Sequence, residues 1–165
     1  MKHGAGDPVT PLTIAILTIS DSRTLEEDDS GDLIRDLLQA DGHQMAERCL
    51  VADEPDAIRG WIRDRLQHAN IDALILTGGT GLSARDRTVE TVSELFERPI
   101  AGFGELFRML SYEEIGARAL LSGALAGVVE RRPIFCLPGS TAAVRLAMER
   151  LILPILQHVV GELRR

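Results

Sequence analysis

The segment from Ile71 to Thr88 constrains this chain more than any other. A short apolar run, Ile71 to Thr77, stops in Gly78-Gly79-Thr80-Gly81, and an Arg85-Asp86 pair leads into a helical pattern starting at Thr88. Glycines adopt the positive-φ conformations that turn successive N–H groups to one side, and they let a ligand approach the main chain. A following helix N-terminus adds partial positive charge. Strand, glycine loop and helix in this order predict an anion-binding turn and a phosphate-bearing ligand. The competing reading is a tight connection with no ligand. No Gly-Lys-Ser/Thr closes the loop, so it is not a Walker A loop, and its glycines do not follow G-x-G-x-x-G.

The same alternation of element types runs through the first half of the chain. Thr13 to Ile19 reads as a buried strand that opens into Ser20-Asp21-Ser22-Arg23-Thr24. A helix with Leu33, Ile34, Leu37 and Leu38 on one face follows, capped by Asp29 or Ser30. Gln44 to Val51 is a second strand, and Pro55 suits the first turn of a helix carrying Ile58, Trp61, Ile62 and Leu66. Thr88 to Phe96 is a short helix. Phe103, Leu106, Phe107 and Leu110 form another helical face, and Ser111 with Glu114 has the form of a capping box, which predicts a new helix from Tyr112. Ala124 to Val129 and Pro133 to Leu137 read as a hairpin. Pro138-Gly139-Ser140 then enters a last helix that Pro154 breaks or kinks.

Strands alternating with helices predict a three-layer α/β/α fold around a mostly parallel mixed sheet, with the hairpin supplying one antiparallel strand. Ligands in such sheets bind beyond the carboxyl ends of the strands. Four loops qualify: Ser20 to Thr24, Ala52 to Pro55, Thr77 to Asp86, and Pro138 to Thr141.

At 165 residues the chain suits one domain, taken as residues 12–165, with residues 1–11 as a loose polar tail. That tail lacks the apolar stretch of a signal peptide, and no segment is long enough to span a membrane, so the expected compartment is the cytoplasm. A net charge of −7 and an aromatic content of 4% argue against nucleic acid and anionic membrane as partners. An acidic protein that binds phosphate must concentrate its basic groups or recruit a cation. Cys49 and Cys136 lie in β-like apolar runs and read as buried thiols in a reducing compartment.

Several pieces, in order, resemble the molybdenum cofactor biosynthesis protein B family (MoaB/MogA). They are Leu17 to Arg23, Asp53-Glu54, Leu76 to Asp86, Gly102 to Arg108 with Ser111 to Gly116, and Leu137 to Thr141. The resemblance covers roughly residues 13 to 160. It implies a molybdopterin-binding fold that self-associates as trimers or hexamers, and contact with other proteins of the molybdenum cofactor pathway. It also implies binding of molybdopterin, a pterin with a dithiolene and a terminal phosphate. The associated activity is transfer of AMP from Mg-ATP to that phosphate, giving adenylyl-molybdopterin and pyrophosphate. Pro138-Gly139-Ser140 resembles the B-type branch, and Gly123 stands where the family pattern usually has arginine. A non-catalytic molybdopterin-binding or carrier protein of the same fold is therefore the alternative function.

Carried over by motif, the resemblance implies Asp53 and Asp86 as catalytic carboxylates, with Asp86 organising Mg²⁺. Each has a competing reading as a helix cap. Gly78, Gly79 and Gly81 would contact phosphate through their backbone, with Thr77 and Thr80 adding hydroxyls. Ser20, Asp21 and Ser22 would shape the nucleotide site or merely form a polar turn. Ser111, Pro138, Gly139 and Ser140 would contact the pterin or its phosphate, although Ser111 and Ser140 could equally cap helices. Glu105 would accept from the pterin ring, or lie exposed on its helix. Arg23, Arg85 and Arg87 are candidate phosphate partners.

Overall fold

The computed structural model describes residues 10–165. Six strands, β1 (Thr13–Ile19), β2 (Gln44–Val51), β3 (Ala73–Thr77), β4 (Arg98–Pro99), β5 (Leu125–Val129) and β6 (Arg132–Leu137), form one sheet in the order β2-β1-β3-β6-β5-β4. β1 pairs in parallel with β2 and β3, and β3 with β6. β5 runs antiparallel to both β6 and β4, so it is the one reversed strand, as the hairpin pattern predicts. The two-residue β4 was not expected. Pro99 is tolerated there because an edge strand need not donate from every residue.

Strands buried on both faces show as unbroken apolar runs, and here the period of two sorts them cleanly. Ile14, Ile16, Ile75, Phe135 and Leu137 point to one core, where α1 (Asp29–Ala40), α4 (Ala101–Ile115), α5 (Thr141–Ala147) and α6 (Leu153–Arg164) pack. Ala15, Leu17, Leu74, Leu76, Ile134 and Cys136 point to the other, covered by α2 (Pro55–Leu66) and α3 (Thr88–Ser93). The result is the expected three-layer α/β/α architecture.

Three local expectations need correction. First, the α1 cap is Asp28, not Asp29 or Ser30. Asp28 is fully buried, accepting from Gly31 N at 3.0 Å and from the Thr18 hydroxyl at 2.6 Å, so the cap also ties α1 to β1. Second, no helix starts at Tyr112: α4 runs unbroken from Ala101 to Ile115, with Ser111 inside it. Phe103, Phe107 and Ser111 lie at i, i+4 and i+8 and are all buried, so the demand for a continuous inward stripe overrides the local capping pattern. Third, α3 ends at Ser93, short of Phe96. Pro154 does mark a break, as expected: a π-helical turn at Met148–Ile152 separates α5 from α6, leaving the proline in the first turn of α6.

No helix among the described residues is long and apolar enough to cross a membrane. Of the expected tail, residues 1–9 lie outside the described residues, while the Thr10 carbonyl accepts from Gln157 Nε2 at 3.2 Å. Both cysteines are free; Cys136 is buried, with its thiol pushed up by burial, whereas Cys49 is only half-buried.

His43 gives the fold a pH dependence. It is buried where α1 passes into β2, and its Nδ1 accepts from Leu12 N at 3.2 Å, so the ring proton sits on Nε2. Burial lowers its pKa from the ordinary 6.5, partly offset by Asp41 and Asp72. A histidine held neutral in the fold contributes stability that is fully present above about pH 6.5 and is lost as pH falls toward the depressed native value. The Tm of the parent is expected to fall between about pH 7 and pH 5, and that of His43→Asn to fall less steeply. Equal slopes in a thermal titration of both proteins would contradict the assignment.

Candidate functional site

The strand order reverses direction at β1 and β3: the chain leaves β1 for β2 on one side and returns to β3 on the other. Their carboxyl ends, with that of the adjacent β6, frame a cavity of about 540 Å³, within the range of small-molecule sites. Three of the four expected loops line it, through Ser20, Ser22 and Arg23, through Thr77 to Gly81 with Asp86, and through Pro138 to Ser140. The fourth, Ala52 to Pro55, lies beside it in a separate acidic cleft, where Asp53, Glu54 and Pro55 meet Asp21, Arg85 and Arg87.

The glycine loop has the geometry its composition predicts. Gly78 and Gly79 have φ of +101° and +63°. A Cβ on Gly78 would lie 2.1 Å from the Ile19 carbonyl oxygen, and one on Gly79 would lie 2.2 Å from Thr88 Oγ1 and 2.4 Å from Asp53 Oδ2. Gly78 N donates to Leu137 O at 3.0 Å, carrying the β3–β6 pairing one residue past the strand. The helix after the loop, α3, starts at Thr88 as expected, and Thr88 N donates to Gly79 O at 3.0 Å, but it has only six residues. Two arginines that line the cavity, Arg23 and Arg118, add positive charge.

The loops hold one another. The Gly139 carbonyl accepts from the Ser30 hydroxyl at 2.7 Å and from Arg23 Nη1 at 3.4 Å. Ser20 Oγ accepts from Arg23 N at 3.1 Å, so the polar-turn reading of Ser20 holds, and it aims the arginine. Thr77 lines the cavity but is buried, with its hydroxyl donating to Pro138 O at 3.1 Å, so it joins two loops and has no proton free for a ligand. Ser140 caps α5, accepting from Ala143 N at 3.2 Å, at the cavity wall. Ser111 enters the cavity from the buried face of α4, beside Phe107.

Neither aspartate is a helix cap. The N-cap residue of α2 is Glu54 and that of α3 is Arg87, neither with a side-chain capping bond. Asp86 Oδ2 accepts from Ser83 N at 3.0 Å, and the carboxylate lies against Gly81. Asp53 Oδ1 accepts from Arg87 N at 3.1 Å, and Asp53 N donates to Asp21 Oδ1 at 2.9 Å. Burial raises the Asp53 pKa above the ordinary 3.8; the Arg87 hydrogen bond opposes this, and the charges of Asp86, Asp21 and Glu54 add to it. The region is thus divided. Arg23 and Arg118 favour an anion in the cavity, while Asp86 at its lining and Asp53, Asp21 and Glu54 beside it repel one another in a way a cation would relieve.

Two expectations fall away from the cavity. Glu105 is exposed and lines a different groove, with Phe96, Pro99 and Arg108, so it cannot reach a ligand on the glycine loop of the same chain. Gly123 lines that same groove, and a Cβ there would be 2.3 Å from the Thr80 carbonyl oxygen and 2.7 Å from Val89 Cγ2, so a side chain at this position would require both neighbours to shift. Sequence reasoning missed Arg118 and the apolar wall of Ile115 and Leu121, because nothing in their local pattern places them opposite the glycine loop.

This strand order, with a glycine loop at the switch point, defines an open α/β domain whose site lies beyond the carboxyl ends of its parallel strands. Residues 15–158 match the family described as "Probable molybdopterin binding domain". The molybdenum cofactor biosynthesis protein B of Halalkalibacterium halodurans is 51% identical over 163 residues, covering 98% of this chain and 95% of the relative. A crystal structure of a molybdenum cofactor biosynthesis protein B superposes with a TM-score of 0.94 at 44% identity, over 96% of this chain and 99% of that one. The tungsten cofactor synthesizing protein MoaB from Pyrococcus furiosus gives a TM-score of 0.85 at 30% identity, over 96% of this chain and all of that one. The chain belongs to the molybdenum cofactor biosynthesis protein B family.

Proposed function

We propose that this protein binds molybdopterin in the β1–β3–β6 cavity and transfers AMP from Mg-ATP to its terminal phosphate in molybdenum cofactor biosynthesis. The observation that carries the reading is the adjacency of an anion-binding glycine loop and a set of repelling carboxylates. Joining two phosphate-bearing reactants requires both a surface that accepts phosphate and a place for the cation that screens it.

In the reaction, an oxygen of the molybdopterin phosphate forms a bond to the α-phosphorus of ATP. The bond from that phosphorus to the β-phosphate bridge breaks, and pyrophosphate leaves. The nucleophile is already ionised at neutral pH, so no strong general base is required. The work of the chain is positioning and charge balance. The N–H groups around Gly78 to Gly81 and the Thr80 hydroxyl hold phosphate, Arg23 adds charge, and Ser111 with Pro138 to Ser140 frames the pterin. Ser20 and Ser22 lie on the nucleotide side, with Asp21 at the edge of the carboxylate group.

Magnesium arrives with the nucleotide as part of the substrate. The donor set suits that role. Among the described residues no group of three His, Cys, Asp or Glu could hold a metal alone, and Mg²⁺ keeps waters and shares one or two carboxylates with phosphates. Asp86 is the first such carboxylate and Asp53 the second.

Self-association fits the surface. Leu106, Met109, Tyr112 and Ile115 of α4, with Leu120 and Leu121 beyond it, are exposed apolar side chains along one stretch, and they suit assembly of copies into a trimer or hexamer. Contact with other pathway proteins and a cytoplasmic location belong to the same reading.

The test is pyrophosphate release from Mg-ATP and freshly prepared molybdopterin. Turnover by the parent, and a loss of at least about 100-fold in folded Asp86→Asn, is the expected result. Pterin binding without turnover would favour the non-catalytic carrier, a reading kept in view by the Pro138-Gly139-Ser140 pattern and by Gly123 in place of the usual arginine. Binding of neither ligand would sink both.

A further inference from the structure

We infer that Arg118 is a specificity-determining residue that closes over the phosphate monoester of a ligand seated on the Gly78–Gly81 loop, opposite Arg23. The inference deepens the function proposed above and rests on it for the pterin, but not for the phosphate.

Three charged side chains line the cavity: Arg23, Asp86 and Arg118. Arg23 stands after β1 and is tied to the loop after β6 through the Gly139 carbonyl. Arg118 comes from the far wall, in the short 3₁₀ turn Gly116–Leu121 that follows α4. Gly116, with φ of +61°, ends α4 and redirects the chain, so that residue 118 returns to the cavity mouth. The two guanidiniums thus belong to separate walls of one cavity, with the glycine loop also lining it.

Arg48 pairs with Asp32, and Arg132 donates to the carbonyls of Leu66 and His68. The guanidiniums of Arg85 and Arg87 are as unpartnered as that of Arg118, but they line the neighbouring cleft, and of the three only Arg118 lines the cavity. Among the described residues Arg118 has no carboxylate and no hydrogen-bond acceptor, although the chain carries seven more acidic than basic charges. A free guanidinium lining the cavity that holds the glycine loop is a planar fork suited to two phosphate oxygens. The family's usual arginine position, Gly123, carries no side chain and lines the separate groove with Glu105, so Arg118 is the cation that the segment after α4 brings to this cavity.

Calorimetric titration of the parent, Arg118→Gln and Arg118→Lys tests this with three probes: molybdopterin, its dephosphorylated form, and inorganic pyrophosphate. Arg118→Gln is expected to weaken molybdopterin and pyrophosphate binding by at least about tenfold, and the lysine variant by less, because a point charge replaces a fork. Binding of the dephosphorylated pterin is expected to be equal in all three proteins, with unchanged Tm. Unchanged phosphate binding in Arg118→Gln, or an equal loss for the dephosphorylated pterin, overturns the assignment. If the parent binds pyrophosphate but no pterin, the pterin reading fails, while a selective loss in Arg118→Gln still supports the arginine's role. If the parent binds none of the probes, both fall.

Discussion

Asp53→Asn is expected to yield a protein with a higher Tm at neutral pH and at least about 100-fold slower AMP transfer. The two effects share one cause. Burial, with Asp86, Asp21 and Glu54 nearby, raises the Asp53 pKa. For a carboxyl whose native pKa lies above its unfolded value, the contribution to stability is present below about 3.8 and is lost as pH rises through the native value. At pH 7 the ionised group therefore costs stability. Asparagine removes that cost and keeps an oxygen for the Arg87 N–H, which Asp53 now accepts at 3.1 Å. What it removes is the charge that would receive a cation with the nucleotide. Thermal melts across pH 3 to 8 and pyrophosphate release, measured on one preparation, check both halves. A variant that is less stable at pH 7, or that keeps parental turnover, would contradict the role given to this carboxylate.

Gly78→Ala is expected to destabilise the fold by about 3 kcal/mol or more, roughly 10 °C in Tm for a chain of this size. Two penalties combine. A φ of +101° is strained for any residue with a Cβ, and that Cβ would lie 2.1 Å from the Ile19 carbonyl oxygen of β1. The obstacle is backbone at the carboxyl end of β1, held between β2 and β3, so it cannot swing aside as a side chain would. The same exchange at Gly60 in α2 or Gly161 in α6, where a Cβ meets nothing within 4 Å, is expected to stabilise by about 0.5 to 1 kcal/mol. Urea unfolding of the three variants would read opposite signs from one chemical change. A Gly78→Ala protein as stable as the parent would mean that the loop relaxes freely, and an anion cradle of that kind would hold little.

The site was legible to different depths. Loop composition alone pointed to Gly78 and Gly79, because positive φ and close backbone approach leave a direct mark on residue choice. The strands were legible because burial on both faces demands unbroken apolar runs. The capping role of Ser111 fails because a capping box is a local pattern, whereas its place in α4, facing the cavity, follows from Phe103 and Phe107, two turns and one turn earlier, packing in the core. A threonine beside a glycine loop suggests a donor to ligand, yet the Thr77 proton goes to Pro138, a residue 61 positions away. No local rule could have separated Glu105, which faces another groove, from Ser111 on the same helix.

By itself, then, the sequence determined the layers: alternating apolar periods of two and 3.6 residues require a sheet covered on both faces, and the glycines require a sharp turn at one strand end. Only the tertiary structure decided which polar groups share the site. Parallel crossovers bring the ends of β1, β3 and β6 together from positions far apart in the chain, and the return after α4 brings Arg118 to the cavity that Arg23 also lines. Side-chain chemistry is written locally, but proximity is a consequence of packing, and it is proximity that makes a site.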